Sequence, residues 1–289
     1  MRRFVQLAYV PVMLAGAGGA AVWLGSRGAP ALPLAAVVAM AIAVSFAAER
    51  VAPYEPDWNR SHDDTARDVA HLVVNEAANV GSVAGLGLMT AFGPSPWWPH
   101  AWPFALQVVS AIVVLDAGVT VAHWASHRSR WLWRFHAVHH GVRRLYGLNG
   151  IMKHPVHQAI EMSAGATPLL LLGMPPAVGA TLVACTALQL LLQHSNVDYR
   201  VGALGRMLAL NEAHRLHHLA APGVGDVNFG LFTTLWDRAL GTWTFDGARR
   251  VRAGELGIAG RPAYPTRYLA QLVEPFRRVR PPGTAPRRA

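Results

Sequence analysis

Six apolar runs limit what this chain can fold into: Phe4–Leu24, Ala31–Ala48, Leu72–Phe92, Pro103–Ala122, Ala159–Leu172 and Ala177–Gln193. The first four approach the ~20 residues that a membrane-spanning helix needs. The fifth is shorter and ends at Gly173-Met174-Pro175-Pro176, where glycine and proline enforce a turn. The last two runs therefore read as a helical hairpin that dips into or crosses the bilayer, the alternative being a buried hairpin of a soluble protein. The fold class expected is all-α: an integral membrane helical bundle of about four transmembrane helices plus a hairpin. Only 15% of the 289 residues are charged and 52% are hydrophobic, whereas soluble domains carry about 25% charged residues.

Basic residues set the orientation. With the N-terminus inside, the inner segments 1–3, 49–71, 123–158 and 194–289 hold 25 of the 26 Lys and Arg, and only Arg27 falls outside. Cytoplasmic loops carry this excess. Arg2 and Arg3 before Phe4–Leu24 also resemble a signal peptide, but the run has span length and a second span follows closely, which favours an uncleaved helix. Trp97, Trp98 and Trp102 suit an interfacial belt in an outer loop. The net charge of +10 sits largely beside the spans with no interleaved aromatic residues, so anionic lipid head groups rather than nucleic acid account for it. The single cysteine, Cys185, excludes an intramolecular disulfide and a cysteine-based metal site.

The chemistry lies in the histidines. Eleven of the 14 fall between His123 and His218. His123 and His127 form an i, i+4 pair at the inner end of the fourth run. His136, His139 and His140 form one HxxHH group, and His214, His217 and His218 a second. Positions i, i+3 and i+4 share a helix face, so each trio is expected to aim at one point. Neutral imidazole is a good ligand for iron, zinc and copper. Eight such side chains are too many for one ion and suit two. Asp116 lies on the same stripe as His123 and His127. It reads either as the acceptor that fixes a ligand histidine's tautomer or as an aspartate bonded to neighbouring backbone.

The stretch from Leu115 to Thr242 resembles the fatty acid hydroxylase and sterol desaturase superfamily of membrane di-iron enzymes. That pattern is an aspartate, HxxxH, HxxHH, a His-Pro, a histidine closing a hairpin, and a second HxxHH. It is matched by Asp116, His123 and His127, then His136, His139 and His140, then His154-Pro155, His194, and His214, His217 and His218. Asn228-Phe229-Gly230 and Trp236-Asp237 to Gly241-Thr242 complete the match. The resemblance implies a cytosolic helical cap carrying a histidine-bound dimetal site. Its ligand candidates are His123, His127, His136, His139, His140, His194, His214, His217 and His218, with His154 close behind. Asn228 would orient a ligand or a bound water, or simply make a turn. His157 departs from the pattern, because an acidic residue is common near that place; ligand neighbour and structural residue stay open. His62, His71 and His100 fall outside the cluster, with His62 and His71 expected at the solvent or interface.

By the same resemblance the cofactor is two iron ions with O2 as co-substrate. Zinc fits the ligands but has no redox chemistry. The substrate is a membrane lipid (fatty acyl, sterol or bacterial aminolipid), to be hydroxylated or desaturated. Electrons come from a separate donor: ferredoxin, cytochrome b5 or a reductase. The rival readings are a zinc-dependent membrane hydrolase and a divalent-metal transporter. The first needs a glutamate within the histidine motif, and none is enclosed; the second needs ligands at the midplane of several spans. Gly81, Gly85, Gly87, Ala117 and Gly118 read as sites of close helix packing, and Arg143, Arg144 and Lys153 as positive-inside residues or as a head-group clamp. The expected organisation is transmembrane helices over 1–104, a catalytic domain over 105–245 and an irregular extension over 246–289, whose Pro- and Arg-rich end from Arg277 is expected to be disordered or laid on the lipid surface. High Ala, Gly and Arg content points to a bacterial inner membrane, with both termini and the active site cytoplasmic.

Overall fold

The computed structural model describes residues 1–89, 97–221 and 224–277. Among them the regular elements are helices, and pairing of extended backbone is limited to isolated bridges such as Pro53 with Val197 and Leu208 with Thr233. We label the helices α1 (Arg2–Ser26), α2 (Ala31–Val51), α3 (Thr65–Met89), α4 (Phe104–Arg128), α5 (Arg130–His140), α6 (Pro155–Leu171), α7 (Pro176–His194), α8 (Asn211–His217), α9 (Leu235–Leu240) and α10 (Tyr268–Val273). α1 widens to a π-helical winding over Val12–Gly18 directly after Pro11, which supplies no N–H to the helical ladder.

Among the described residues four helices are long and apolar enough to cross a membrane: α1, α2, α4 and α7. They correspond to the first, second, fourth and sixth apolar runs. The other two runs are not among them. α3 begins with Arg67, Asp68, His71 and Asn75, all buried, and the end of its apolar run at Phe92 lies outside the described residues. α6 has 17 residues and buries His157, Gln158 and Glu161 in its first two turns, so only one arm of the hairpin has span length.

α7 is the central post. Its most apolar stretch is 67% buried, against 22% for α1 and α2, which places those two at the periphery. α4 and α6 meet where neither backbone carries a side chain: a Cβ on Gly118 would lie 2.2 Å from the Ala164 carbonyl oxygen, and one on Gly165 would lie 2.9 Å from the Leu115 carbonyl oxygen. Gly118 therefore acts as the close-packing residue its sequence context suggests. The C-terminal ends of α2, α4 and α7 converge with the starts of α3 and α6, and α5, α8, α9 and α10 cap that end. Buried polar groups tie it together. Glu49 at the end of α2 accepts from the Gly147 and Asn196 backbone N–H groups, and Arg144 donates to Asp64.

The segment after Thr242, irregular over most of its length, packs against the rest of the chain. Val251, Leu256 and Tyr264 enter the core beside Val138 and Val142 of the α5 region. Gln271 on α10 is fully buried, its side-chain oxygen 2.9 Å from His71 Nε2. His71, expected at the surface or interface, is thus an internal strut whose Nδ1 meets the Lys153 carbonyl oxygen at 3.0 Å. Residues 278–289 lie outside the described residues.

Candidate metal centre

Four separate pieces of chain deliver the histidines to one place. His123 and His127 are on the last turns of α4. Ser129 then accepts from Leu132 N–H, which starts α5 at once and carries His136, His139 and His140 back over the end of α4. His194 is the last residue of α7. The short α8 brings His214 and His217, with His218 as its C-cap. All except His127 are at least nine-tenths buried.

These nine side chains form two groups, one of His123, His127, His136, His140 and His217, the other of His139, His194, His214 and His218, each with its ligand nitrogens within 4.8 Å of one another. Each HxxHH motif is split between them: residues i and i+4 serve one group, and i+3 serves the other. The expectation that each trio aims at one point is corrected by the wide angle between i+3 and i+4 around a helix. The groups abut, with His140 and His218 rings 4.9 Å apart and His214 and His217 rings also 4.9 Å apart.

The tautomers show what this arrangement requires. His123 Nδ1 lies 2.9 Å from the Phe229 carbonyl oxygen and His217 Nδ1 2.8 Å from that of Val227. A carbonyl only accepts, so both Nδ1 atoms carry the proton. The two Nε2 atoms, 2.9 Å apart, then face each other with lone pairs and no hydrogen between them. The same holds for His139 and His194, whose Nδ1 atoms donate to Met152 and Leu190 carbonyls while the Nε2 atoms stand 3.4 Å apart. Burial also drives His136, His139, His140, His214, His217 and His218 well below the usual imidazole pKa, so no added proton bridges the gap. Facing lone pairs in a dry interior repel each other, and a cation between them turns that cost into binding. Two nitrogens bound at roughly 2.1 Å and at right angles lie about 3.0 Å apart, which matches the separations of 2.9–3.1 Å between His123 and His217, His127 and His140, and His136 and His140. The residues fit a pair of metal ions.

A third cluster stands behind His136, where His157 and Glu161 lie within the same ligand distance. Ser126 Oγ donates to the Ala122 carbonyl and accepts from His157 Nε2 at 3.0 Å. Lys153 Nζ donates to Glu161. Glu161 escaped the sequence reading, although an ionisable residue at the head of an apolar run, four residues after His157, was a visible signal.

Three expected site residues stand elsewhere. His154 caps α6, its Nδ1 accepting from Val156 N–H at 3.1 Å while Nε2 meets the Leu272 carbonyl oxygen at 3.1 Å; it lies outside both ligand groups. Asp116 touches no ligand histidine. It accepts from the Leu231, Phe232 and Thr233 N–H groups at 2.8–3.0 Å and from Thr233 Oγ1 at 2.7 Å, the backbone-bonded alternative. Asn228 adopts φ +58 and binds Ala213 and Thr244 backbone, so it makes the turn. Asp116 and Asn228 share one task with Asp237, which accepts from Phe229 and Gly230 N–H. Together they fix the 227–233 loop whose carbonyls set the tautomers of His123 and His217. Arg144 and Lys153 are consumed by Asp64 and Glu161.

A cavity of about 930 Å³ opens beside His127, the least buried of the nine. His127 Nδ1 bonds Asp226 at 2.8 Å across its floor.

Comparison with known proteins agrees with this construction. The fatty acid hydroxylase family model matches residues 108–242. The ornithine lipid hydroxylase OlsE of Rhizobium tropici is 36% identical over 247 residues, covering 82% of this chain and 73% of that protein. Alkylglycerol monooxygenase of Danio rerio is 30% identical over 146 residues, half of this chain and 31% of that protein. No solved structure matches the chain. The chain belongs to the fatty acid hydroxylase family.

Proposed function

We propose that the chain is an O2-dependent lipid hydroxylase of a bacterial inner membrane, with two iron ions as cofactor and an aminolipid related to ornithine lipid as substrate. The observation that carries this reading is the set of facing Nε2 lone pairs, divided five and four. His123, His127, His136, His140 and His217 would hold one ion, and His139, His194, His214 and His218 the other. When bound, the ions supply reduction of O2 and oxidation of a C–H bond, which zinc in the same ligands could not do.

The chain's own residues prepare that chemistry. Backbone carbonyls of Phe229, Val227 and Met152 keep protons on Nδ1, leaving each partner Nε2 free to bind. Burial keeps the imidazoles neutral and water out. The Lys153–Glu161 pair and His157 stand behind His136 and hold its ring in place. Hydroxylation is favoured over desaturation because the relatives are named a hydroxylase and a monooxygenase. Inserting one atom of O2 into a C–H bond needs two electrons from outside. A single cysteine cannot hold an iron–sulfur cluster, so a separate ferredoxin, cytochrome b5 or reductase donates them. The metal centre and both ends of the chain face the cytoplasm.

Expression in a bacterial host that makes ornithine lipid tests the reading. Lipid extracts compared by mass should contain a species one oxygen atom heavier, and His217→Ala should abolish it. An unchanged lipid profile with a competent electron donor present overturns it.

A further inference from the structure

The cavity at His127 is built almost entirely from the short connection between α4 and α5 and from the returning C-terminal segment. Five arginines line it (Arg128, Arg130, Arg134, Arg261 and Arg277) against two carboxylates, Asp226 and Glu274. Those carboxylates are already engaged. Asp226 holds His127, while Glu274 pairs with both Arg261 and Arg277. Among the described residues no carboxylate pairs with Arg128, Arg130 or Arg134. Arg128 lies over the Trp124 ring at 5.7 Å and Arg134 over the Trp131 ring at 5.4 Å. Arg134 is also tied to the Arg277 carbonyl at 2.6 Å. Guanidinium groups held by ring faces and backbone keep their remaining donors free and already oriented.

Three unbalanced arginines at the mouth of a concave site make an anion receptor. We propose that this cavity is the substrate's head-group site, in which Arg128, Arg130 and Arg134 hold the carboxylate or phosphate of a membrane lipid beside the histidine group that contains His127. The inference rests on the lipid-hydroxylase reading above and names the side of the molecule from which the lipid arrives.

Three observations select a lipid head over an acidic partner protein. The cavity's 930 Å³ falls in the range of about 300–1,000 Å³ typical of small-molecule sites, whereas a protein partner needs a broad, open face. Arg128 is the last residue of a helix of span length, so the mouth lies at the level where lipid heads lie. Trp131, which lines the cavity, is 72% exposed, as aromatic side chains are at a membrane interface.

The test uses the full chain in detergent, metal-free, with lipid retention read by native mass spectrometry. Phosphatidylglycerol and ornithine lipid, each carrying an anionic group, should be retained in preference to diacylglycerol, which carries none. Arg128→Gln with Arg134→Gln should weaken that retention by roughly tenfold or more, the scale of lost hydrogen bonds to charged groups. Arg249→Gln with Arg252→Gln, which removes the same two charges outside the cavity lining, should not. With iron-loaded protein the double variant should raise KM for the lipid by a similar factor and leave kcat within about twofold. Unchanged retention and KM in the double variant overturn the inference while leaving the hydroxylase reading intact. Inorganic phosphate alone binding as tightly as the lipids would show a free-anion site and overturn it too. So would a loss confined to binding of an acidic ferredoxin. Arginine-dependent lipid retention in a wild-type protein that makes no oxidised lipid would spare the head-group site and remove the hydroxylase reading.

Discussion

The two histidine groups touch each other yet are enclosed differently. His139, His194, His214 and His218 are each no more than 2% exposed, built around the end of the central helix α7. The five-histidine group has one side chain, His127, at a cavity, and its outer partner Asp226 is 52% exposed. The sealed group is arranged to retain an ion, the open one to meet a ligand. Substitution should reveal this contrast at its largest. His139→Ala leaves three ligands in the sealed group, so iron bound per chain should fall from about two to about one and activity should vanish. His127→Ala leaves four ligands in the open group; both ions should remain at saturating iron, with affinity for one reduced about 10–100-fold. Metal analysis after anaerobic loading checks both, and equal losses would break the contrast.

Acid probes the property both groups share. Six of the ligand candidates, and His71 at about 4, have pKa values lowered by burial. In the unfolded chain they take up protons near the usual 6.5, and in the folded chain they do not. Stability of the metal-free protein should therefore be level above about pH 6.5. As pH falls below that value it should drop by about 1.4 kcal/mol per unit for each such histidine, until the folded pKa is reached. Melting in detergent between about pH 7.5 and 5 measures this, and a flat profile would contradict the buried neutral imidazoles. In the loaded protein, iron should leave in two steps, the open group's ion at the higher pH. A single step would erase the distinction between the groups.

The histidine spacing made the metal centre legible because helical periodicity brings i, i+3 and i+4 to one side of a helix whatever the fold. It could not say that α5 and α8 are placed so that each HxxHH divides between two histidine groups, since that depends on how the two helices face each other. His154 was misplaced for a related reason: a histidine before proline is as good a helix cap as a ligand, and only the position of Leu272 decides. Asp116 and Asn228 belonged to the site's neighbourhood, but their partners lie more than a hundred residues away for Asp116 and in a positive-φ turn for Asn228. The apolar runs gave the spans of α1, α2, α4 and α7. The fifth run was already short, and His157 and Glu161 bring the first turns of α6 beside His136.

Asp116→Asn acts on the open group through the 227–233 loop. The amide cannot accept from all of the Leu231, Phe232 and Thr233 N–H groups and turns its own N–H towards them, a cost of about 1–3 kcal/mol. The Phe229 carbonyl then loosens its hold on His123 Nδ1. Affinity for the open group's ion should fall about 10–100-fold with the sealed group unchanged. Loss of both ions would mean that the loop supports the whole cap.

The smallest effect is expected at Asp226. It is half exposed and bonds one histidine, so solvent screens most of its charge. Asp226→Asn keeps an oxygen to accept from His127 Nδ1 and removes only the negative charge. Oxidation rate should fall less than about fivefold and metal content should stay the same. His127 would still be held, and the sealed group lies on the other side of His123 and His136. A large loss of activity with both ions retained would give the carboxylate a part in the reaction itself, and the open group would then be defined by its outer partner as much as by its five imidazoles.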